Sequence, residues 1–173
     1  MNDQKYTSAK TSINSKKVPA LARALGKRCY EMGIKNFKVL DYGGGKYNTA
    51  TEYLKSTGLT NVIYDPFNRT PEENSMALAQ YDYDIALLSN VLNVIKESDI
   101  RINIIKECYD HIKPGGMLLI KIYEGNRSGV PSVRKDNYQC NKKTEDYIHE
   151  VFKVFRKAKV ITWCGLKIIW ADK

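Results

Sequence analysis

A short apolar run, Phe37-Lys38-Val39-Leu40, opens directly into Asp41-Tyr42-Gly43-Gly44-Gly45, and a helical pattern from Tyr47 to Leu54 follows. Strand, glycine turn and helix in that order bring backbone N–H groups and a positive helix end to one point, where a polar ligand can approach closely. Asp41 at the strand tip adds the opposite charge, which suits a ligand carrying an ammonium group as well as a hydroxylated sugar. A tight turn with no ligand uses the same residues, so the rest of the chain has to decide.

The 173 residues are enough for one domain, a sheet with helices on both faces. Val18, Leu21, Ala22, Leu25, Cys29 and Met32 recur at helical spacing, with Gly33 as a stop. The first strand is expected at 37–41, a helix to about Thr57, and a second strand at Asn61–Asp65, ended by Pro66. Residues 66–80 are ambiguous, with Pro71-Glu72-Glu73 able to open a short helix. Tyr83–Ser89, with Ile85-Ala86-Leu87-Leu88 at its centre, reads as a parallel strand buried and apolar on both faces. Ser98-Asp99 is expected to cap a helix with Ile100, Ile104, Cys108 and Ile112 on its apolar positions, ended by Lys113-Pro114-Gly115-Gly116. Met117–Tyr123 reads as the next strand. Asp146 begins a helix with Tyr147, Ile148, Val151, Phe152 and Phe155 inward, and Lys159–Trp163 and Leu166–Trp170 form an antiparallel hairpin around Cys164-Gly165. Alternating strands and helices imply a mainly parallel α/β sheet.

No apolar run reaches eighteen residues, so no membrane span is expected, and no apolar stretch follows the first lysines, so no secretory signal is read. The four cysteines are scattered and form no C-x-x-C pair. That favours reduced thiols in a cytoplasmic protein and no metal site. His111 and His149 stand alone and read as surface or packing residues.

Each strand tip carries a candidate. Asp65, at the end of the second strand, can accept two hydrogen bonds from a ribose diol, or can make an Asx-type turn before Pro66. Different nucleoside cofactors use such a residue, so Asp65 alone does not choose between them. Ser89-Asn90-Val91-Leu92-Asn93-Val94-Ile95 follows the third strand, at the carboxyl edge where ligands bind in open α/β sheets. Asn90 or Asn93 can hold substrate or cofactor through an amide, or cap the next helix. Tyr123 and Glu124 end the strand after Gly116, and Glu124 there is either a base or a solvated loop carboxylate.

The stretch Asp41–Gly45 resembles the first motif of class I S-adenosylmethionine (SAM)-dependent methyltransferases, an acidic residue followed by x-Gly-x-Gly-x-Gly, with Gly43 and Gly45 matching and Tyr47 at the third glycine position. The terminal hairpin belongs to the same likeness and separates it from a nicotinamide-binding Rossmann domain. The resemblance implies a Rossmann-like sheet, SAM as cofactor, Asp41, Gly43, Gly45, Asp65 and Asn90 as its contacts, and Asn90, Tyr123 and Glu124 as candidate catalytic groups. The [Asp/Asn/Ser]-Pro-Pro-[Tyr/Phe] signature of many exocyclic-amine methylases is missing, and none of the four cysteines follows a proline as in cytosine C5 enzymes. Ser15–Leu21, Tyr64-Asp65-Pro66-Phe67, Asn90–Ile95 and Lys135-Asp136-Asn137-Tyr138-Gln139 also resemble methyltransferase-like proteins of bacteriophages and DNA-modification gene clusters.

The formal charge of +9 is concentrated. Residues 1–19 carry a net +3, and residues 1–16 are expected to form a flexible basic arm; the insertion 124–141 and its flank carry a net +4 over 125–143. Such clusters suit a polyanion, or simply confer solubility. Within the insertion, Arg134, Lys135, Tyr138 and Gln139 combine phosphate-binding charge, an aromatic platform and an amide able to read a base edge, while a lid over the cofactor is the other use. The expectation is a SAM-dependent methyltransferase acting on nucleic acid or a nucleotide. A non-catalytic SAM- or nucleotide-binding protein, such as a phage-encoded inhibitor or sensor, is the alternative.

Overall fold

Strands that are apolar on both faces have to lie between two layers of helices. A computed structural model describes residues 16–134 and 137–173. Helix α1 (Ala20–Glu31) leads to β1 (Lys38–Tyr42), α2 (Thr49–Ser56), β2 (Thr60–Tyr64), α3 (Pro71–Leu78) and β3 (Tyr83–Ser89). After these come α4 (Ser98–His111), β4 (Ile112–Lys121), a small hairpin of β5 (Ser132–Arg134) and β6 (Asn137–Gln139), α5 (Ile148–Val151), β7 (Lys157–Trp163) and β8 (Leu166–Asp172). The main sheet runs β2-β1-β3-β4-β8-β7, parallel through β4 and antiparallel at β8 and β7. The expected Rossmann-like sheet with a terminal antiparallel hairpin is what forms. Cys164 and Gly165 both take positive φ, 49° and 76°, as a two-residue turn matched to strand twist requires.

The period of two along each strand sorts the core into two layers. Val39, Ile85, Leu87 and Leu119 pack with Leu21, Leu25, Ala50 and Leu54 of α1 and α2. Leu40, Ala86, Leu88, Leu118 and Ile120 face Ala77, Ile105, Cys108 and Val151 of α3, α4 and α5. Each Val, Leu or Ile side chain among them taken from water stabilises by about 1.5–3 kcal/mol.

Within residues 66–80 the short helix that Pro71-Glu72-Glu73 allowed is what forms, as α3, because Thr70 and Glu73 make a reciprocal capping box with Pro71 in the first turn. Other local expectations are corrected. Ser98 does not cap α4: Glu97 holds that position without a side-chain cap bond, and the Ser98 hydroxyl donates to Glu150 Oε1 at 2.9 Å. The buried stripe of α4 is Arg101, Ile105 and Cys108, whereas Ile100 is 39% exposed. Arg101 can lie inward because Glu150 of α5, also buried, neutralises it. Met32 and Phe152 are exposed, since α1 and α5 end one residue before them. β4 starts at Ile112 and stops at Lys121, leaving Tyr123 and Glu124 in the loop beyond it. The expected basic arm lies, up to Ser15, outside the described residues. No helix among the described residues is long and apolar enough to cross a membrane.

Candidate active site

Loops at the carboxyl ends of β1, β2, β3 and β4 border a cleft of about 780 Å³. Neighbouring strands lie ~4.8 Å apart, so these four adjacent tips span ~14 Å. From β1 come Asp41 and Gly43–Gly45, from β2 Asp65, from β3 Asn90 and Asn93, and from beyond β4 Tyr123; Tyr138 and Gln139 descend from the β5–β6 hairpin.

The glycine loop is shaped by close packing. Gly43 has φ 77°, and a Cβ there would stand 2.6 Å from Val91 Cγ2. A Cβ on Gly44 would stand 2.8 Å from the Asp41 carboxyl. The Gly43 amide donates to the Tyr64 carbonyl at 2.7 Å and the Gly45 amide to Asp65 Oδ2 at 2.9 Å. Both N–H groups are therefore engaged within the protein, and neither is free to donate to a ligand. Asp65 Oδ1 accepts the Phe67 and Asn68 amides and Asn68 Nδ2, each at 3.0 Å. Oδ1 is thereby filled, while Oδ2 keeps one acceptor position beyond its bond from Gly45. Asp65 thus staples the loop after β1 to the turn after β2. Arg69 adds bonds from Nε to the Gly45 carbonyl (2.9 Å) and from Nη2 to the Tyr47 carbonyl (3.1 Å), and Asn74 pairs with both backbone groups of Asp65.

Asp41 is the exception in this ordered loop. Its side chain lines the cleft, is only 3% exposed, and has no hydrogen-bond or ion-pair partner among the described residues. Burial, and then the negative charge of Asp65, push its carboxyl up to about 7, with Arg69 opposing. A cation brought beside it would find a carboxylate with no competing partner among the described residues.

On the β3 side Asn90 takes φ 59°, and its Oδ1 accepts from Lys121 Nζ at 3.3 Å. Burial lowers the Lys121 pKa, with Glu124 opposing. Gln139 Nε2 donates to the Tyr123 carbonyl at 2.8 Å, and Asn93 Nδ2 donates to Gln139 Oε1 at 2.9 Å. Asn93 Oδ1 and Ser89 Oγ are buried without partners. Ile100 and Ile104, displaced from the core stripe of α4, face this part of the cleft.

Residues 13–159 match the family model of a methyltransferase domain. The chain belongs to that family. Its fold is shared with the Burkholderia thailandensis 1,6-didemethyltoxoflavin-N1-methyltransferase, solved with 1,6-didemethyltoxoflavin and S-adenosylhomocysteine (TM-score 0.63, 16% identity, 90% of this chain and 79% of that one). It is shared too with the sugar N-methyltransferase KedS8 from Streptoalloteichus (TM-score 0.60, 10% identity, 88% and 86%). The T. thermophilus 16S rRNA N2 G1207 methyltransferase, in complex with AdoMet and guanosine, matches with a TM-score of 0.53 and 18% identity over 91% of this chain and 44% of that one. The chain spans about half, 54%, of the methyltransferase SibL and of the pyocyanin biosynthetic protein PhzM. No curated protein sequence matches significantly.

Within this methyltransferase domain, two expected roles do not fit the geometry. Glu124 is not on the cleft wall. Its Oε1 accepts the Thr144 amide (2.8 Å), the Thr144 hydroxyl (2.7 Å) and Lys167 Nζ (3.2 Å), and Arg127 sits on Oε2. Burial alone would raise this carboxyl, but Thr144 and Lys167 hold it at about 2. So weak a proton acceptor is a fastener for the insertion, not a base. The Gln139 amide is spent between Tyr123 and Asn93 and is not free to read a base edge. Lys135 and the side chain of Arg134 lie outside the described residues.

Sequence reasoning missed Arg69 and Asn74, which precede and open α3; the Thr70-x-x-Glu73 capping box was their signal. It also missed Arg101, whose Nη1 donates to the Ile95 and Lys96 carbonyls at 2.8 Å while Nε donates to Glu150 at 2.9 Å. That buried pair fixes the loop after β3. Nothing in single-sequence periodicity marks an inward arginine.

Proposed function

We propose that the chain, acting as one domain over residues 1–173, transfers the methyl group of S-adenosylmethionine to a nitrogen or oxygen acceptor. The observation that carries the reading is Asp41, a buried carboxyl without a partner among the described residues, in the wall of the cleft beside the glycine loop. The β1–β2 half fits the cofactor on further grounds: Gly43 and Gly44 let Val91 and Asp41 pack directly against the loop backbone at the cleft wall, and Asp65 Oδ2 takes a single internal bond. In this reading Asp41 meets the cofactor's ammonium, Gly43 and Gly45 allow close approach, Asp65 Oδ2 meets a ribose hydroxyl, and Asn90 stands where cofactor and acceptor meet. When bound, S-adenosylmethionine supplies a methyl group on a sulfonium that leaves readily, so the reaction is a displacement at carbon.

The protein's contribution is then alignment more than acid–base chemistry. Lys121 fixes which way the Asn90 amide faces, Arg101 holds the Ile95 and Lys96 carbonyls, and the Gln139 contacts hold the hairpin against the loop after β3. Tyr123 and Tyr138 flank the acceptor. The acceptor we favour is nucleic acid or a nucleotide, on the strength of the basic insertion and of the resemblance to phage and DNA-modification proteins. The non-catalytic alternative draws support from Tyr47 at the third glycine position and from Glu124 being held out of the cleft. Labelled S-adenosylmethionine incubated separately with DNA, tRNA and small-molecule extract tests the reading. Label in DNA or tRNA is expected. Label in the small-molecule pool alone would overturn the nucleic-acid acceptor, and no label despite tight cofactor binding would favour the non-catalytic protein.

A further inference from the structure

We infer that the β3–β4 half of the cleft is a subsite for an uncharged, planar heteroaromatic ring that offers an N–H to Asn93. This rests on reading the β1–β2 half as the cofactor's. The first observation is a segregation of charge. Among the described lining residues, the charged ones, Asp41, Lys46 and Asp65, all belong to β1 or to the loops after β1 and β2. Over β3 and β4 the wall combines Val94, Ile95, Ile100, Ile104, Tyr123 and Tyr138 with uncharged polar side chains such as Asn90 and Asn93. An ion seated there would shed its hydration without meeting an opposite charge among the described lining residues, and the Lys121 ammonium behind the wall is engaged by Asn90, whereas aliphatic and aromatic faces suit a flat neutral ring.

The second observation is a polarity that runs through two amides. A carbonyl can only accept, so Tyr123 requires Gln139 to present Nε2. Gln139 Oε1 is thereby turned to Asn93, which must answer with Nδ2. Asn93 Oδ1 is left committed as an acceptor on a side chain 2% exposed, with no partner. Flipping either amide would set acceptor against acceptor or donor against donor. At the other end of the same loop Ser89 Oγ is likewise buried, unpartnered and on a residue of the cleft wall. A ring N–H complements the Asn93 acceptor, and a carbonyl or ring nitrogen can accept from the Ser89 hydroxyl. Gln139 is a positioning residue here, acting through Asn93.

The test is calorimetric titration of the full chain, with and without S-adenosylhomocysteine, using hypoxanthine and 4-quinazolinone, each paired with its lactam-N-methyl derivative, and the anion quinoline-2-carboxylate. Each lactam is expected to bind at least about tenfold more tightly than its N-methyl partner, with the anion weakest. Gln139→Met frees the Asn93 amide to turn and should bring the lactam preference close to one. The wild-type panel decides alone if that variant folds poorly. A single-stranded oligonucleotide containing one hypoxanthine base distinguishes the sources: tighter binding than the free base means the ring arrives on a polynucleotide, and equal or weaker binding means a free small molecule. Equal binding of lactam and N-methyl forms, or tightest binding of the anion, would overturn the inference. Failure of S-adenosylhomocysteine to bind while the lactam preference persists would remove only the cofactor reading.

Discussion

Asp41→Asn should stabilise the ligand-free fold and at the same time weaken its hold on a cationic ligand. The Asp41 carboxyl is pushed from an ordinary 3.8 to about 7, first by burial and then by Asp65. At about 1.4 kcal/mol per pH unit, keeping it ionised in the fold costs roughly 4 kcal/mol. The sign follows from which state releases its proton first. Below the unfolded value both states are protonated and the favourable contribution is fully present. Between 3.8 and about 7 the unfolded chain ionises while the fold does not, so stability falls as pH rises, and above about 7 the loss levels off. Asparagine cannot ionise. Urea unfolding of both proteins should therefore show a gap near zero at about pH 4 that widens towards at most ~4 kcal/mol by about pH 8. Binding of S-adenosylhomocysteine to the wild type should strengthen through pH 7 with loss of a proton, and the variant should bind at least about tenfold more weakly with no such dependence. A variant less stable at every pH, or a gap that does not change with pH, would refute the reasoning.

Gly43→Ala, which places a Cβ 2.6 Å from Val91 Cγ2 at φ 77°, should cost about 1–3 kcal/mol by urea titration and weaken S-adenosylhomocysteine binding by calorimetry. Glu124→Gln should cost about 1–3 kcal/mol at neutral pH while leaving cofactor affinity in place. Because its folded pKa is depressed to about 2, the Glu124 contribution is present above 4.5 and lost as pH falls through about 2, so the variant's acid limb should be flatter. Arg101→Met leaves Glu150 buried without its partner and should cost about 3–5 kcal/mol; adding Glu150→Leu should recover most of it in a double-mutant cycle.

The sheet was legible because its signals are local and repeated. The apolar run Tyr83–Ser89 and the Cys164-Gly165 turn each have one physical reading, and both form as read. The strand-tip candidates were legible for the same reason, since a residue closing a parallel strand has to lie at the carboxyl edge. What stayed hidden depends on partners distant in sequence. Arg101 lies inward only because Glu150 meets it, which moves the core stripe of α4 and turns Ile100 and Ile104 to the cleft. Glu124 is claimed by Thr144 and Lys167, and Gln139 by Asn93 and Tyr123, pairings that no pattern around those residues announces. Asp65 kept the position expected of it, but its hydrogen bonds to Gly45 and Asn68 depend on how two loops meet.

The most direct test of the account is calorimetric titration of the wild-type chain with S-adenosylmethionine, its demethylated product and NAD. Asp41, the glycine loop and Asp65 together predict that both sulfur nucleosides bind and that NAD does not. Tighter binding of NAD than of either sulfur nucleoside would contradict the account at its centre.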